Sequence, residues 1–122
     1  MLRCGTLVLA LIALCACERD EPPARLRVID GIPKLGRDLI AGYGCSACHL
    51  IPGIRQASGT VGPALAGFGR RAYIAGRLPN RPALLTAWLQ DPPAIDPGTA
   101  MPAMGMSGPE ARHMAAYLYT LR

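Results

Sequence analysis

The chain has 122 residues, 51% of them hydrophobic and 17% charged, with a formal net charge of +5. That length holds one small domain, and Gly 14 with Pro 12 leaves little room for long helices or long sheets, which excludes a multidomain enzyme, a multi-span membrane protein and a long coiled coil. The apolar content is too high and the charge too low for a disordered chain.

Arg3 precedes an uncharged run from Gly5 to Ala16, too short to cross a bilayer, which takes about 20 residues. A positive start, a short apolar stretch and small residues at its end read as an export signal over 1–17, with a buried core helix as the alternative. Leu14-Cys15-Ala16-Cys17 resembles a bacterial lipoprotein processing site. By that resemblance Cys17 becomes a lipid-bearing N-terminus that tethers the domain to a membrane through acyl chains; simple release into the periplasm is the alternative. Residues 18–33 carry Glu18, Arg19, Asp20, Glu21, Pro22, Pro23, Arg25 and Arg27 without an apolar helical stripe, and read as an extended, solvated linker. The folded domain is expected over 34–122.

Within it, Lys34 to Tyr43 carries Leu35, Leu39 and Ile40 on one helical face and closes at Gly42 and Gly44, which predicts a helix. Ile51 to Gly69 lacks either period and reads as a loop, and Arg70 to Ala75 as one helical turn. Pro82 starts a second helix with Leu84, Leu85, Trp88 and Leu89 on one side, ended by Asp91-Pro92-Pro93 because proline cannot continue the ladder. Ile95 to Met106 is a further loop. Ser107 and Glu110 form a capping box for a last helix striped by Ala111, Met114, Ala115, Leu118 and Leu121. No strand is required, and the fold class expected is all-α.

Five cysteines are present, of which Cys4, Cys15 and Cys17 fall in the signal region. The folded part keeps Cys45 and Cys48, in Cys45-Ser46-Ala47-Cys48-His49. This is the C-x-x-C-H pattern of covalent c-type haem attachment. Two thiols three apart on a turn reach the two vinyl groups of one haem, and the imidazole that follows lies over the iron. A structural disulfide would use the same pair. A thioredoxin-like redox pair expects a βαβ context that is missing, and a zinc site would have only Cys45, Cys48, His49 and His113 to draw on.

Gly44 to His49, Ile51-Pro52-Gly53, the stretch from Val61 to Gly67, Trp88 to Pro92, Asp96 to Pro102 and Ala116-Tyr117-Leu118 together resemble a class I, mono-haem bacterial cytochrome c. More narrowly, they are similar to the cytochrome c domains associated with respiratory terminal oxidases. The resemblance implies three to five helices around one covalent haem c, with the N- and C-terminal helices crossing. It also implies Met101 as the second axial ligand. Met104 and Met106 on the same loop compete with it, Met114 falls on the helical stripe and suits core packing, and His113 would give bis-histidine ligation. By the same resemblance the Pro63 carbonyl accepts the other ring N–H of His49, orienting the ligand and raising its basicity. Trp88 is either core or a neighbour of the haem propionates, and Tyr73 and Asn80 are candidates to reach them.

Between Lys34 and Gln90, seven cations (Lys34, Arg37, Arg55, Arg70, Arg71, Arg77, Arg81) stand against Asp38 alone. Such a bias steers a haem edge toward an acidic patch on a redox partner; a solvated basic surface without special use is the plain alternative. No nucleic-acid motif, activated nucleophile or phosphate loop is present. The expected function is one-electron outer-sphere transfer by a monomeric periplasmic carrier. It would run between a quinol-oxidising complex and a terminal oxidase, with no enzymatic activity. Two alternatives stand beside it: a fixed cytochrome c subunit of an oxidase complex, and a ligand-binding or catalytic haem protein with an open iron position.

Overall fold

The structure, a computed structural model, describes residues 21–122; the expected signal over 1–17 and the Cys17 processing site lie outside the described residues. Helix α1 runs Pro33–Gly42. A proline in the first turn gives up an N–H that has no helical partner there. The chain leaves α1 through Gly44, at φ 71, a left-handed exit that glycine makes without a Cβ penalty. The buried stripe is narrower than the sequence suggests: Ile40 is buried, Leu39 half-buried, and Leu35 stays 43% exposed.

Helix α2 spans Pro82–Gln90 and buries Leu85, Trp88 and Leu89. Asp91 ends it and caps a further short helix, α3, Pro92–Ile95, by accepting the Ala94 N–H at 3.1 Å. The prolines that stop α2 thus also start α3, since proline suits a first turn as well as it breaks an interior.

Helix α4, Gly108–Thr120, opens with the expected capping box. The Glu110 N–H donates to Ser107 Oγ at 3.4 Å, and the Ser107 N–H to Glu110 Oε2 at 2.8 Å. Ala111, Met114, Ala115 and Leu118 are buried, and so are Ala116, Tyr117 and Tyr119. The helix is enclosed on more than one stripe because α1, α2 and a 3-10 turn at Phe68–Arg70 all pack on it.

Two expectations change here. In place of one helical turn over Arg70–Ala75, the chain follows the Phe68–Arg70 turn with β1, Tyr73–Ile74, and β2, Leu78–Pro79. These pair antiparallel with Tyr73 opposite Pro79 and Ile74 opposite Leu78. Ala75 and Gly76 both have positive φ, 50 and 70, and the Arg77 N–H returns to the Ile74 carbonyl at 3.0 Å, a primed turn that matches strand twist. The described residues are therefore helical with one two-residue strand pair.

The second change concerns residues 21–33. They form no free linker. A 3-10 turn at Ala24–Leu26 buries Leu26, Val28 is also buried, and the Ile32 N–H donates to His113 Nδ1 on α4 at 3.0 Å. Two apolar residues flanking Arg27 make no helical stripe, so their packing leaves no signal in the local pattern.

Candidate functional site

The Cys45–Ala47 segment is a 3-10 turn that follows α1 directly. Cys48 N–H and His49 N–H both donate to the Cys45 carbonyl, at 3.2 and 3.0 Å, which closes the C-x-x-C-H stretch into a tight loop. Cys45 and Cys48 are half-buried free thiols. Burial, with a smaller contribution from neighbouring Cys48, pushes the Cys45 thiol up. A redox nucleophile needs the opposite shift, and the pair follows the C-terminal end of a helix, where the dipole does not favour a thiolate.

His49 is oriented by one contact. Its Nδ1 lies 2.7 Å from the Pro63 carbonyl oxygen. A carbonyl only accepts, so Nδ1 carries a proton; in the neutral ring the lone pair is then on Nε2, the arrangement of a metal-ligating imidazole.

The loop that supplies Pro63 lies flat on the motif. Gly59 N–H donates to the Ser46 carbonyl at 3.2 Å, Gly62 N–H to the Cys48 carbonyl at 2.7 Å and Leu65 N–H to the Leu50 carbonyl at 2.8 Å. A Cβ on Gly62 would stand 2.3 Å from His49 Cε1, and one on Gly59 would stand 2.4 Å from the Ala47 carbonyl oxygen. Glycine is required at both positions for this approach. A second clamp comes from α4: the Tyr117 hydroxyl donates to the Pro52 carbonyl at 2.6 Å. The sequence gives no sign of that long-range bond.

Two thiols at the attachment spacing, an imidazole in the ligating tautomer and a glycine-lined loop shaped around that imidazole fit a covalent haem. Among the described residues no group of three or more His, Cys, Asp or Glu is gathered to hold a bare metal ion.

The methionines divide by environment. Met114 and Met106 are buried in the core, Met104 is 43% exposed, and Met101 is half-buried against the core. Met101 N–H donates to Thr99 Oγ1 at 3.2 Å. Trp88 is a core residue and Tyr73 is exposed. Asn80 is already committed: Nδ2 donates to the Phe68 and Arg71 carbonyls at 3.2 and 3.0 Å, and Oδ1 accepts from the Tyr119 hydroxyl at 2.9 Å. Its three bonds leave no donor for a propionate. His113 is half-buried and spends Nδ1 as an acceptor for Ile32.

Not all the cations are free. Lys34 pairs with Asp38 at 3.3 Å and Arg77 with Asp96 at 3.4 Å. Arg71 turns inward to backbone carbonyls.

No family model matches the chain. It is 34% identical over 118 residues to a protein named cytochrome c oxidase subunit 2 from Alkalihalophilus pseudofirmus; the match takes in 89% of this chain and 34% of that protein. The chain thus spans about a third of the length of the curated relative it matches. This similarity overturns the expectation of no enzymatic activity drawn from the sequence: the protein matched is by name a subunit of an oxidase.

Proposed function

We infer that the chain is a haem-bearing electron-transfer domain of an oxidase assembly, fixed there as a subunit rather than diffusing as a free carrier. The observation that carries the reading is the His49 ring, whose Nδ1–H donates to the Pro63 carbonyl at 2.7 Å so that Nε2 is left for iron beside two free thiols. Bound through Cys45 and Cys48, a haem c would supply a one-electron iron couple.

The chain's own residues do the rest. Cys45 and Cys48 anchor the group, and the glycine-lined loop holds the imidazole plane. Pro63 makes that imidazole a stronger donor, and Met101 is the second ligand. Because His49 is held by the Pro63 carbonyl and Met101 is packed against the core, the ligands move little when the charge on the site changes, which keeps electron transfer quick. Similarity to the oxidase subunit supports the oxidase as the assembly that takes the electron; a quinol-oxidising complex is the donor we assign. Exposed cations such as Arg55, Arg70 and Arg81 favour an acidic docking face on the donor. Export to the periplasm, with a lipid on Cys17 as tether, belongs to the same reading.

Intact mass and a reduced absorption spectrum of protein matured with a haem-ligation apparatus test it. One haem added through two thioethers is expected, and a colourless, folded product overturns the reading. Purification in mild detergent then separates subunit from carrier: co-migration with oxidase polypeptides supports a fixed subunit, and a chain that travels alone returns it to a diffusing carrier.

A further inference from the structure

The Pro63 carbonyl that accepts from His49 Nδ1–H sits in a loop tied to the C-x-x-C-H turn on its upstream side by backbone bonds. Its downstream side keeps one such bond, from Leu65 N–H to the Leu50 carbonyl at 2.8 Å, and adds a side-chain grip. The Arg71 guanidinium donates through Nη2 to the Ala64 carbonyl and, at 3.3 Å, to the Ala66 carbonyl. Its Cζ stands 5.6 Å from the centroid of the Phe68 ring, a cation–π contact that restricts a planar guanidinium further.

Arg71 is in turn fixed from α4. Its own carbonyl accepts from Asn80 Nδ2 at 3.0 Å, and Asn80 Oδ1 accepts from the Tyr119 hydroxyl at 2.9 Å. Tyr119 is fully buried, and that burial pushes its phenol up, so it stays a donor. A continuous set of polar contacts therefore runs from the enclosed face of the last helix, through Asn80 and Arg71, to the residue that follows Pro63.

We propose that Arg71 is a positioning residue for His49: by gripping the Ala64 and Ala66 carbonyls it fixes the direction of the Pro63 carbonyl and with it the His49 Nδ1–H···O bond. The consequence for a haem rests on the reading of His49 as an iron ligand; the bracing of the loop does not. Two charge-assisted bonds from one guanidinium hold two points of a turn that has no regular structure of its own. A lysine in its place keeps the charge but presents a point donor on a flexible stem.

The test uses the haem-loaded protein with Arg71→Lys and Arg71→Met. Hydrogen exchange is read at His49 Nδ1–H and at the Gly62 and Leu65 amides, with the Met114 and Ala115 amides of α4 as the internal reference. Loss of the grip should speed exchange at His49 and Leu65 by about tenfold in both variants, with the α4 amides little changed. In Arg71→Lys, where the charge is kept, the midpoint potential should rise, because a weakened bond to Pro63 makes the imidazole a poorer donor to ferric iron.

Unchanged exchange at His49 and Leu65 overturns the proposal. Equal acceleration at all the probes also overturns it, since that assigns Arg71 to general stability alone. Should Arg71→Met fail to fold, the lysine variant is read by the same criteria. If the wild-type chain carries no haem, the proposed function falls, while exchange at His49 Nδ1–H and Leu65 still decides whether Arg71 braces the loop.

Discussion

Gly36 on α1 lies directly against the main chain of His113 on α4: a Cβ at Gly36 would stand 1.8 Å from the His113 carbonyl oxygen and 2.4 Å from its carbonyl carbon. The obstacle is backbone, so no side chain can rotate aside, and a methyl group there must push the two helices apart. Gly36→Ala is expected to destabilise the protein by about 3 kcal/mol, the upper part of the range for overpacking. Gly42, in the same helix, has nothing within 4 Å of its Cβ position. Gly42→Ala should therefore stabilise by about 0.5 kcal/mol through helix propensity and reduced freedom of the unfolded chain. Urea midpoints of the two variants check the opposite signs; equal gains would mean the helices are not in contact at Gly36.

That contact shows what the sequence conveys and what it withholds. α1, α2 and α4 are legible because each carries a run of helical period, joined in α2 and α4 by a start signal, Pro82 or the Ser107–Glu110 box; the start of α1 at Pro33 reads in the sequence as the end of a linker. The C-x-x-C-H motif is legible because its chemistry is packed into five consecutive residues. The β1–β2 hairpin is hidden because Ala75 stands at a left-handed position where asparagine or aspartate would announce the turn. Gly36, Asn80 and Arg71 are hidden for another reason. Their roles are defined by partners far along the chain, and nothing in the residues beside them records those partners.

The segment before α1 carries a second expectation. Leu26 is 4% exposed in the core cluster, so Leu26→Ala removes buried methyl groups and leaves a cavity, at a cost of about 2–3 kcal/mol. Ile29, 78% exposed, serves as control, and Ile29→Ala should change stability by less than about 0.5 kcal/mol. Thermal denaturation of the two variants separates them. A Leu26→Ala protein as stable as the parent would restore the free linker that the sequence alone suggests.

The capping box makes stability depend on acid. Hydrogen bonds from the Ser107 side chain and backbone, and then from Tyr43, hold the Glu110 carboxyl below its ordinary range. A carboxyl with a depressed folded-state pKa contributes stability above its unfolded value, about 4.3. That contribution is lost as pH falls through the folded value beneath it. Denaturation measured between pH 6 and pH 3, on the order of the range where such groups titrate, should show the decline. Glu110→Gln should flatten it, and a slope identical in the parent and the variant would assign the acid sensitivity to other carboxyls.

Ligation by methionine is separable by environment. Met101 is half-buried beside the core, Met104 is 43% exposed, and Met106 is 6% exposed within the core. In the haem-loaded protein, Met101→Ala should abolish the near-infrared thioether-to-iron band and open the reduced iron to carbon monoxide, since the distal position is then vacant. Met104→Leu should leave the band intact. Met106→Leu nearly conserves volume and should cost less than about 1.5 kcal/mol of stability, again with the band retained. If the band survives Met101→Ala and disappears in Met106→Leu, the ligand is the core methionine, and the loop from Ile95 to Met106 must hold its sulfur in a different arrangement around the iron.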